Sequence, residues 1–304
     1  MDDDILAGAI EISECFKGLG TSQPFCIGRN GTIELEVIYF YLVSRKGAAY
    51  PIPYPERLHT EIQRNAGVFP GTFRAIDDWC EAYLTALHSF TGLAAGWYAP
   101  LKVIEHGILA KYAPQVKFKM PLRSLEPYYV LKQHWWTQHL AGKKVAVVSS
   151  FTTTMSKQLW KMDAIWTGER AGLIPADQVA QWSFVQTGYS PITALGVGGW
   201  PAGISSWKEA VELMKSRVLE SGAQVALIGC GGLGMILAAA LREHGVSAIV
   251  LGGAIQVLFG IRGTRWERHT VISKFWNPAW TWPAPEEIPN GAKFIEGACY
   301  WRRV

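Results

Sequence analysis

The sequence predicts an α/β fold with a mainly parallel sheet flanked by helices. Three observations lead there. Residues 225–253, VALIGCGGLGMILAAALREHGVSAIVLGG, read as a buried strand at 225–228, a glycine-rich turn, a helix at 233–243 and a second buried strand at 248–251. That is one βαβ unit. Residues 143–149, KKVAVVS, start a second strand–turn–helix unit, with hydroxyl residues where the first has glycines. Residues 24–27 are short and apolar, and a helix begins at Thr32 after the turn Arg29-Asn30-Gly31. Strands that alternate with helices in this way build parallel sheets. In such sheets ligands bind beyond the carboxyl ends of the strands, where the glycine turn and the hydroxyl turn are both expected.

The remaining elements follow in order. Apolar residues at helical spacing predict helices over residues 5–16 and 32–43. Tyr50-Pro51-Ile52-Pro53-Tyr54-Pro55 is a loop, because proline lacks a backbone donor and fixes φ. Further helices are predicted over 77–90, with Asp77 or Asp78 near the N-terminus, and over 126–139, ending before Gly142. After the strand at 143–149, Phe151-Thr152-Thr153-Thr154 opens a helix running to about Met162, and residues 207–220 form the helix that leads into the βαβ unit. The stretch 276–289, WNPAWTWPAPEEIP, holds too many prolines for a helix and reads as an ordered loop.

With 304 residues, 49% hydrophobic and 18% charged, the chain can bury a large core, and one domain over residues 1–304 is expected. A net charge of +4 without a long basic run favours anionic small ligands over nucleic acid. The acidic start MDDDILAGAIEISECF lacks the basic region of a secretory leader. Arg242, Glu243, His244 and Arg262 interrupt the longest apolar stretches, so no run reaches the roughly 20 residues of a membrane span. Cys15, Cys26, Cys80, Cys230 and Cys299 are odd in number and lack metal-ligand spacing. They read as free thiols in a reducing compartment, and the expected location is the cytoplasm.

Chemistry concentrates in four places. The turn of the βαβ unit is a G-x-G-x-x-G, Gly229, Gly231 and Gly234, with Gly232 between them. Glycines there let backbone approach a diphosphate at a helix N-terminus. A nicotinamide dinucleotide also needs an acid about 20 residues on, at the end of the second strand, to bind ribose. Here that strand ends Leu251-Gly252-Gly253-Ala254, and no carboxylate follows until Glu267. A different phosphate ligand fits better. The second place is residues 26–36, where Arg29 and Gly31 precede Glu34 and Glu36 in the first helical turns; such carboxylates serve either as capping groups or as ligand-organising acids. The third is Ser149 to Thr154, with Ser150, Phe151, Thr152 and Thr153 able to cap a helix or to bind phosphate and ribose. The fourth is Gly260-Ile261-Arg262-Gly263-Thr264-Arg265-Trp266, whose paired arginines are either solvated or suited to a diphosphate. No GxSxG elbow, CxxC pair or Walker lysine is present.

Taken in order, these pieces resemble the glycosyltransferases of the GT-D fold, in particular bacterial and viral relatives with a run like LFGIKGKRW before a C-terminal G-x-Y-W. The matching runs here are Leu258 to Trp266 and Gly297-Ala298-Cys299-Tyr300-Trp301. The resemblance covers most of the chain and is most specific over residues 225–266. It implies a Rossmann-like domain of GT-D type, a nucleotide-sugar donor with UDP favoured, and transfer of the sugar to a hydroxyl of a glycan acceptor. Against the family's R-x-G-D-x-E turn, Arg29, Gly31 and Glu34 match, while Thr32 replaces the aspartate. Glu34 is then the candidate ligand for Mg²⁺ or Mn²⁺, with one metal carboxylate missing unless Glu36 substitutes, and metal dependence stays open. The glycine turn, the hydroxyl turn, Gly252, Gly253, Arg262 and Arg265 are the expected donor side, and Glu34 or Glu36 the base. Trp280 and Trp282 are either core or an acceptor wall, and at least one is expected to line a cleft near Glu34. Two other readings compete: an NAD(P)-dependent oxidoreductase, and a non-catalytic nucleotide or carbohydrate binder.

Overall fold

The computed structural model describes residues 2–18 and 23–302. The apolar runs become strands β1 (Cys26–Arg29), β4 (Lys144–Ser149), β6 (Val225–Gly229) and β7 (Ser247–Val250). Successive side chains of a strand leave on opposite faces. Val145, Val147, Val225, Leu227 and Ile249 accordingly enter one core, and Ala146, Val148, Ala226, Ile228 and Val250 enter another. A sheet covered on both faces has no wet side, which is why these strands read as continuous apolar runs. Three more strands, β2 (Gly92–Ala94), β3 (Phe118–Met120) and β5 (Gln181–Gln186), complete the sheet. Its order is β3-β2-β1-β7-β6-β4-β5, and every neighbouring pair is parallel. This is an α/β, Rossmann-like architecture.

One face carries α2 (Thr32–Ser44), α3 (Glu56–Arg64), α4 (Phe73–Ala86), α5 (Lys102–Tyr112), α9 (Trp207–Glu220) and α10 (Gly234–Glu243). The other carries α1 (Asp3–Lys17), α6 (Thr152–Leu159), α7 (Met162–Ile165), α11 (Ala254–Leu258) and the aromatic C-terminal segment. Helix α9 starts at a capping box, in which the Ser206 side chain accepts from Glu209 N and the Glu209 carboxylate returns to Ser206 N. Among the described residues no helix is long and apolar enough to cross a membrane. All five cysteines are free.

Three expectations are corrected. The helix expected over 77–90 begins at Phe73, capped by Thr72, whose hydroxyl accepts from Ala75 N at 3.2 Å. Asp77 lies within it and forms an ion pair with Arg45 at 2.7 Å. The helix expected over 126–139 is a run of short 3₁₀ turns at Pro127–Tyr129, Lys132–His134 and Trp136–Leu140. There the Trp135 and Trp136 rings are buried and their indole N–H groups donate to Val130 O (3.0 Å) and Leu125 O (3.2 Å). Tertiary burial of two indoles overrides a local apolar period that aromatic residues support only weakly. The helix after the hydroxyl turn stops at Leu159, and the short α7 follows separately.

Candidate functional site

A cleft of about 530 Å³ opens beyond the carboxyl ends of β1, β7, β6 and β4. Arg29, the last residue of β1, lines it together with Gly31, Thr32 and Glu34 from the start of α2. Glu34 is only 8% exposed, and its side chain folds back so closely that a Cβ at Gly31 would overlap its carboxyl group. Glycine at position 31 is what lets the acid sit there. Burial raises the Glu34 carboxyl above its ordinary value, against the pull of its own backbone N–H and of Arg29; Glu296 adds to the rise.

The β1–α2 turn is held by residues that the sequence reading passed over. Buried Asn30 donates to Glu105 Oε1 at 2.8 Å and accepts from the Tyr83 hydroxyl at 2.9 Å. The other Glu105 oxygen accepts from Gly96 N at 2.6 Å, and the Trp97 indole donates to Asn30 O at 3.3 Å. The Arg29 guanidinium lies 5.0 Å from the Trp97 ring centroid. These contacts join β1 to the loop after β2, so no local motif announces them.

The facing wall comes from the C-terminal segment and the turn after β3. Arg265 pairs with Glu296 at 3.2 Å and donates to the Tyr300 hydroxyl at 2.9 Å. A Cβ on Gly252 would stand 3.2 Å from Arg29 Nη1, and one on Gly253 would stand 3.3 Å from Arg265 Nη1. The two guanidinium groups thus flank the backbone at the end of β7. Glu126 lines the same cleft, and burial pushes its carboxyl up to about 7 against Arg29 and Arg123.

Both turns expected to cradle phosphate are filled in part by the chain itself. Gly232 N donates to Ala66 O at 2.8 Å, and Gly232 O accepts from the Trp79 indole at 3.0 Å. Gly231 has φ +58° and would place a Cβ 2.8 Å from Ala66 O, while a Cβ on Gly234 would meet Val250 and Ile228 at 3.1 and 3.3 Å. These glycines serve close protein packing. Gly229, Cys230 and Gly231 border the cleft, whereas Gly232 and Gly234 do not. At the hydroxyl turn, buried Glu287 accepts from Thr154 N at 3.0 Å and from the Thr154 hydroxyl, so a carboxylate of the chain already occupies the start of α6. Thr152 bonds to Gln186. Ser149, Ser150 and Phe151 reach the cleft, and Thr152 and Thr153 lie outside it.

Four more expected residues stand elsewhere. Glu36 is ion-paired with Arg57, outside the cleft, because it lies half a turn beyond Glu34 on another face of α2. Arg262 donates to Asn277 O at 2.9 Å and packs on Trp276 at 5.3 Å, away from the cleft. Trp280 is core, donating to Ile165 O at 3.3 Å, and Trp282 packs edge-on against Trp276. The prolines around them fix a loop that turns these rings onto the second face of the sheet. The cleft has aromatic walls all the same, from Trp97, Trp200, Trp266, Tyr300 and Trp301. Among the described residues no three His, Cys, Asp or Glu side chains gather to hold a metal ion.

No protein-family model matches the chain, and no curated protein matches it. A solved structure described as the selenomethionine-substituted domain of unknown function 1792 (DUF1792) is similar to it. The TM-score is 0.41 and the identity 12%, over 83% of this chain and 82% of that one.

Proposed function

We propose that the chain is a glycosyltransferase that moves a hexose or pentose from a nucleoside-diphosphate donor, UDP favoured, to a hydroxyl of a glycan acceptor. The observation that carries this reading is the convergence of Arg29 and Arg265 from facing walls on the end of β7, with buried Glu34 on the Arg29 side. A nicotinamide site needs a carboxylate at that strand end. Here it holds two fixed cations, which suit the charge that develops on a departing diphosphate. The bond from the sugar's anomeric carbon to the diphosphate oxygen breaks, and a bond to the acceptor oxygen forms. Glu34 takes the proton of the acceptor hydroxyl, and its raised carboxyl places it nearer the working range of a general base at neutral pH. Thr32 is neutral and no group of three metal-ligating side chains gathers among the described residues, so Mg²⁺ or Mn²⁺ here would be held by Glu34 together with the donor's diphosphate, and no step is routed through it. The five free thiols favour the cytoplasm as the place of reaction.

Arginine at the end of a second strand also suits the 2′-phosphate of NADP, so the competing dinucleotide reading keeps one specific support. Thermal unfolding with UDP, GDP, NAD and NADP separates the two. UDP at about 100-fold over its Kd is expected to stabilise by roughly 2.7 kcal/mol. Stabilisation by NAD or NADP with no response to a nucleoside diphosphate would sink the transferase reading. Hydrolysis of a nucleotide sugar, read across a panel of donors, then distinguishes an enzyme from a binding protein. Repeating that hydrolysis in EDTA, with Mg²⁺ or Mn²⁺ added back, tests whether a cation takes part.

A further inference from the structure

At one end of the cleft, charge and apolar surface meet without partners. Arg64, the last residue of α3, lines the cleft, yet it takes part in no ion pair among the described residues, and its Nε is buried without a hydrogen-bond partner. Its guanidinium stacks 4.8 Å from the Phe294 ring centroid, and Lys293 lies over the same ring at 5.0 Å. Among the described residues neither cation has an acidic partner, and both sit on one half-exposed ring. Beside them runs the loop around α8 (Pro191–Ala194), tied to the C-terminal segment by Gly291 N donating to Thr193 O at 2.9 Å and by the Asn290 amide donating to Leu195 O at 2.9 Å. Ile192, Leu195 and Val197 stand in solvent on this loop, Leu195 at 52% exposure. Leu195 also adopts φ +47°, a left-handed conformation that glycine takes without penalty and leucine does not. An exposed leucine held in a strained backbone points to a use for its side chain.

We infer that this rim binds an anionic amphiphile, with Arg64 and Lys293 on a phosphate head and Leu195, Val197, Ile192 and Phe294 along the first carbons of an alkyl or prenyl chain. A guanidinium without an acid partner keeps its charge and Nη donors for phosphate oxygens. Apolar side chains next to it cover hydrocarbon that a free phosphate lacks. The inference does not depend on what the cleft transfers. Under the glycosyltransferase reading, the amphiphile is the carrier of the acceptor hydroxyl.

The test titrates the full chain with n-decyl phosphate below its micellar concentration, with inorganic phosphate and n-decyl maltoside as controls. Decyl phosphate is expected to bind roughly 10-fold or more tighter than either control, and more weakly as salt rises. Arg64→Gln with Lys293→Gln is expected to reduce that affinity about 10-fold. Leu195→Gly, which removes the side chain and relieves the backbone, is expected to reduce it several-fold while unfolding stays cooperative. If the double variant does not fold, exposed Lys293→Gln alone carries the charge arm. Equal affinity for inorganic phosphate overturns the apolar half. Complete displacement by UDP shows that the phosphate merely occupied the donor site and overturns the proposal. Unchanged affinity in Lys293→Gln and Leu195→Gly overturns it as well.

Discussion

Glu34 and Glu126 are the two cleft acids that burial raises, and they lead to different predictions. Glutamine at position 34 keeps the shape and most of the capping capacity but cannot accept a proton. Glu34→Gln should therefore stay folded and lose sugar transfer by roughly 100-fold or more; near-native turnover would return the residue to a capping role. Glu126 reads out through stability. A carboxyl raised from 4.5 to about 7 keeps its proton longer in the native state. The fold then binds more protons than the unfolded chain across that window, and stability falls as pH climbs through it. Above pH 7 the full cost is present, on the order of 1–3 kcal/mol. Glu126→Gln should thus be more stable than the natural chain at pH 8 by about that amount and no more stable at pH 4, as read by urea unfolding at both. The two acids also differ in how far the sequence shows them. Arg29, Gly31 and Glu34 lie within six residues and form one local pattern, so they are legible. Glu126 and Arg64 come to the cleft, and Glu105 to the turn beside it, from separate segments, and only tertiary structure gives them neighbours.

At the level of elements, the glycine turn stands where the sequence places it, with Gly229 and Gly231 on the cleft and Gly232 and Gly234 packed against the chain. Strand, turn and helix at residues 225–243 are local and periodic, so β6 and α10 emerge as expected. What fills the space above Gly231 is Ala66, which arrives from the end of α3, about 160 residues earlier in the chain, and no spacing rule reveals it. The expected consequence of a side chain there changes accordingly. Gly231→Ala should cost about 2 kcal/mol or more, from the left-handed φ and the clash with the Ala66 carbonyl, whether or not a donor is bound. Gly107 provides the contrast. It lies inside α5 with open space where a Cβ would go, so Gly107→Ala should stabilise by about 0.5–1 kcal/mol. Chemical denaturation of both variants checks the pair, and equal effects would remove the steric argument. Helix α9 spans the expected residues 207–220, and what fixes it is local: Ser206 and Glu209 form a capping box over an amphipathic run. The stretch 126–139 shows the opposite, since two indoles chose the tertiary core over the helix.

On the scale of the molecule, the chain's parallel sheet was legible because strands buried on both faces leave unbroken apolar runs, but the order of its strands was not. The link from β3 to β4 crosses from one edge of the sheet toward the other, and nothing in composition marks that crossing. The same holds for the C-terminal segment. Its tryptophans suggested a ligand wall at Trp280 and Trp282, whereas Trp301 carries the architectural load. Trp301 is 1% exposed, and its indole donates to Glu287 O at 3.2 Å while Glu287 holds the start of α6. Its ring packs on Phe151 at 6.0 Å and Tyr189 at 5.9 Å, so one side chain joins the chain's end to the segments following β4 and β5. Trp301→Ala removes a large buried ring and leaves the Glu287 carbonyl without that donor, which should cost about 3–5 kcal/mol. Because Trp301 also lines the cleft beside Tyr300, stabilisation by UDP should fall in the same variant. Trp160, 89% exposed, is the matched control, and Trp160→Ala should stay within about 0.5 kcal/mol. Urea unfolding of both variants, with and without UDP, decides it. A Trp301→Ala protein as stable as the Trp160→Ala protein would mean that the C-terminal cover adds little to the fold.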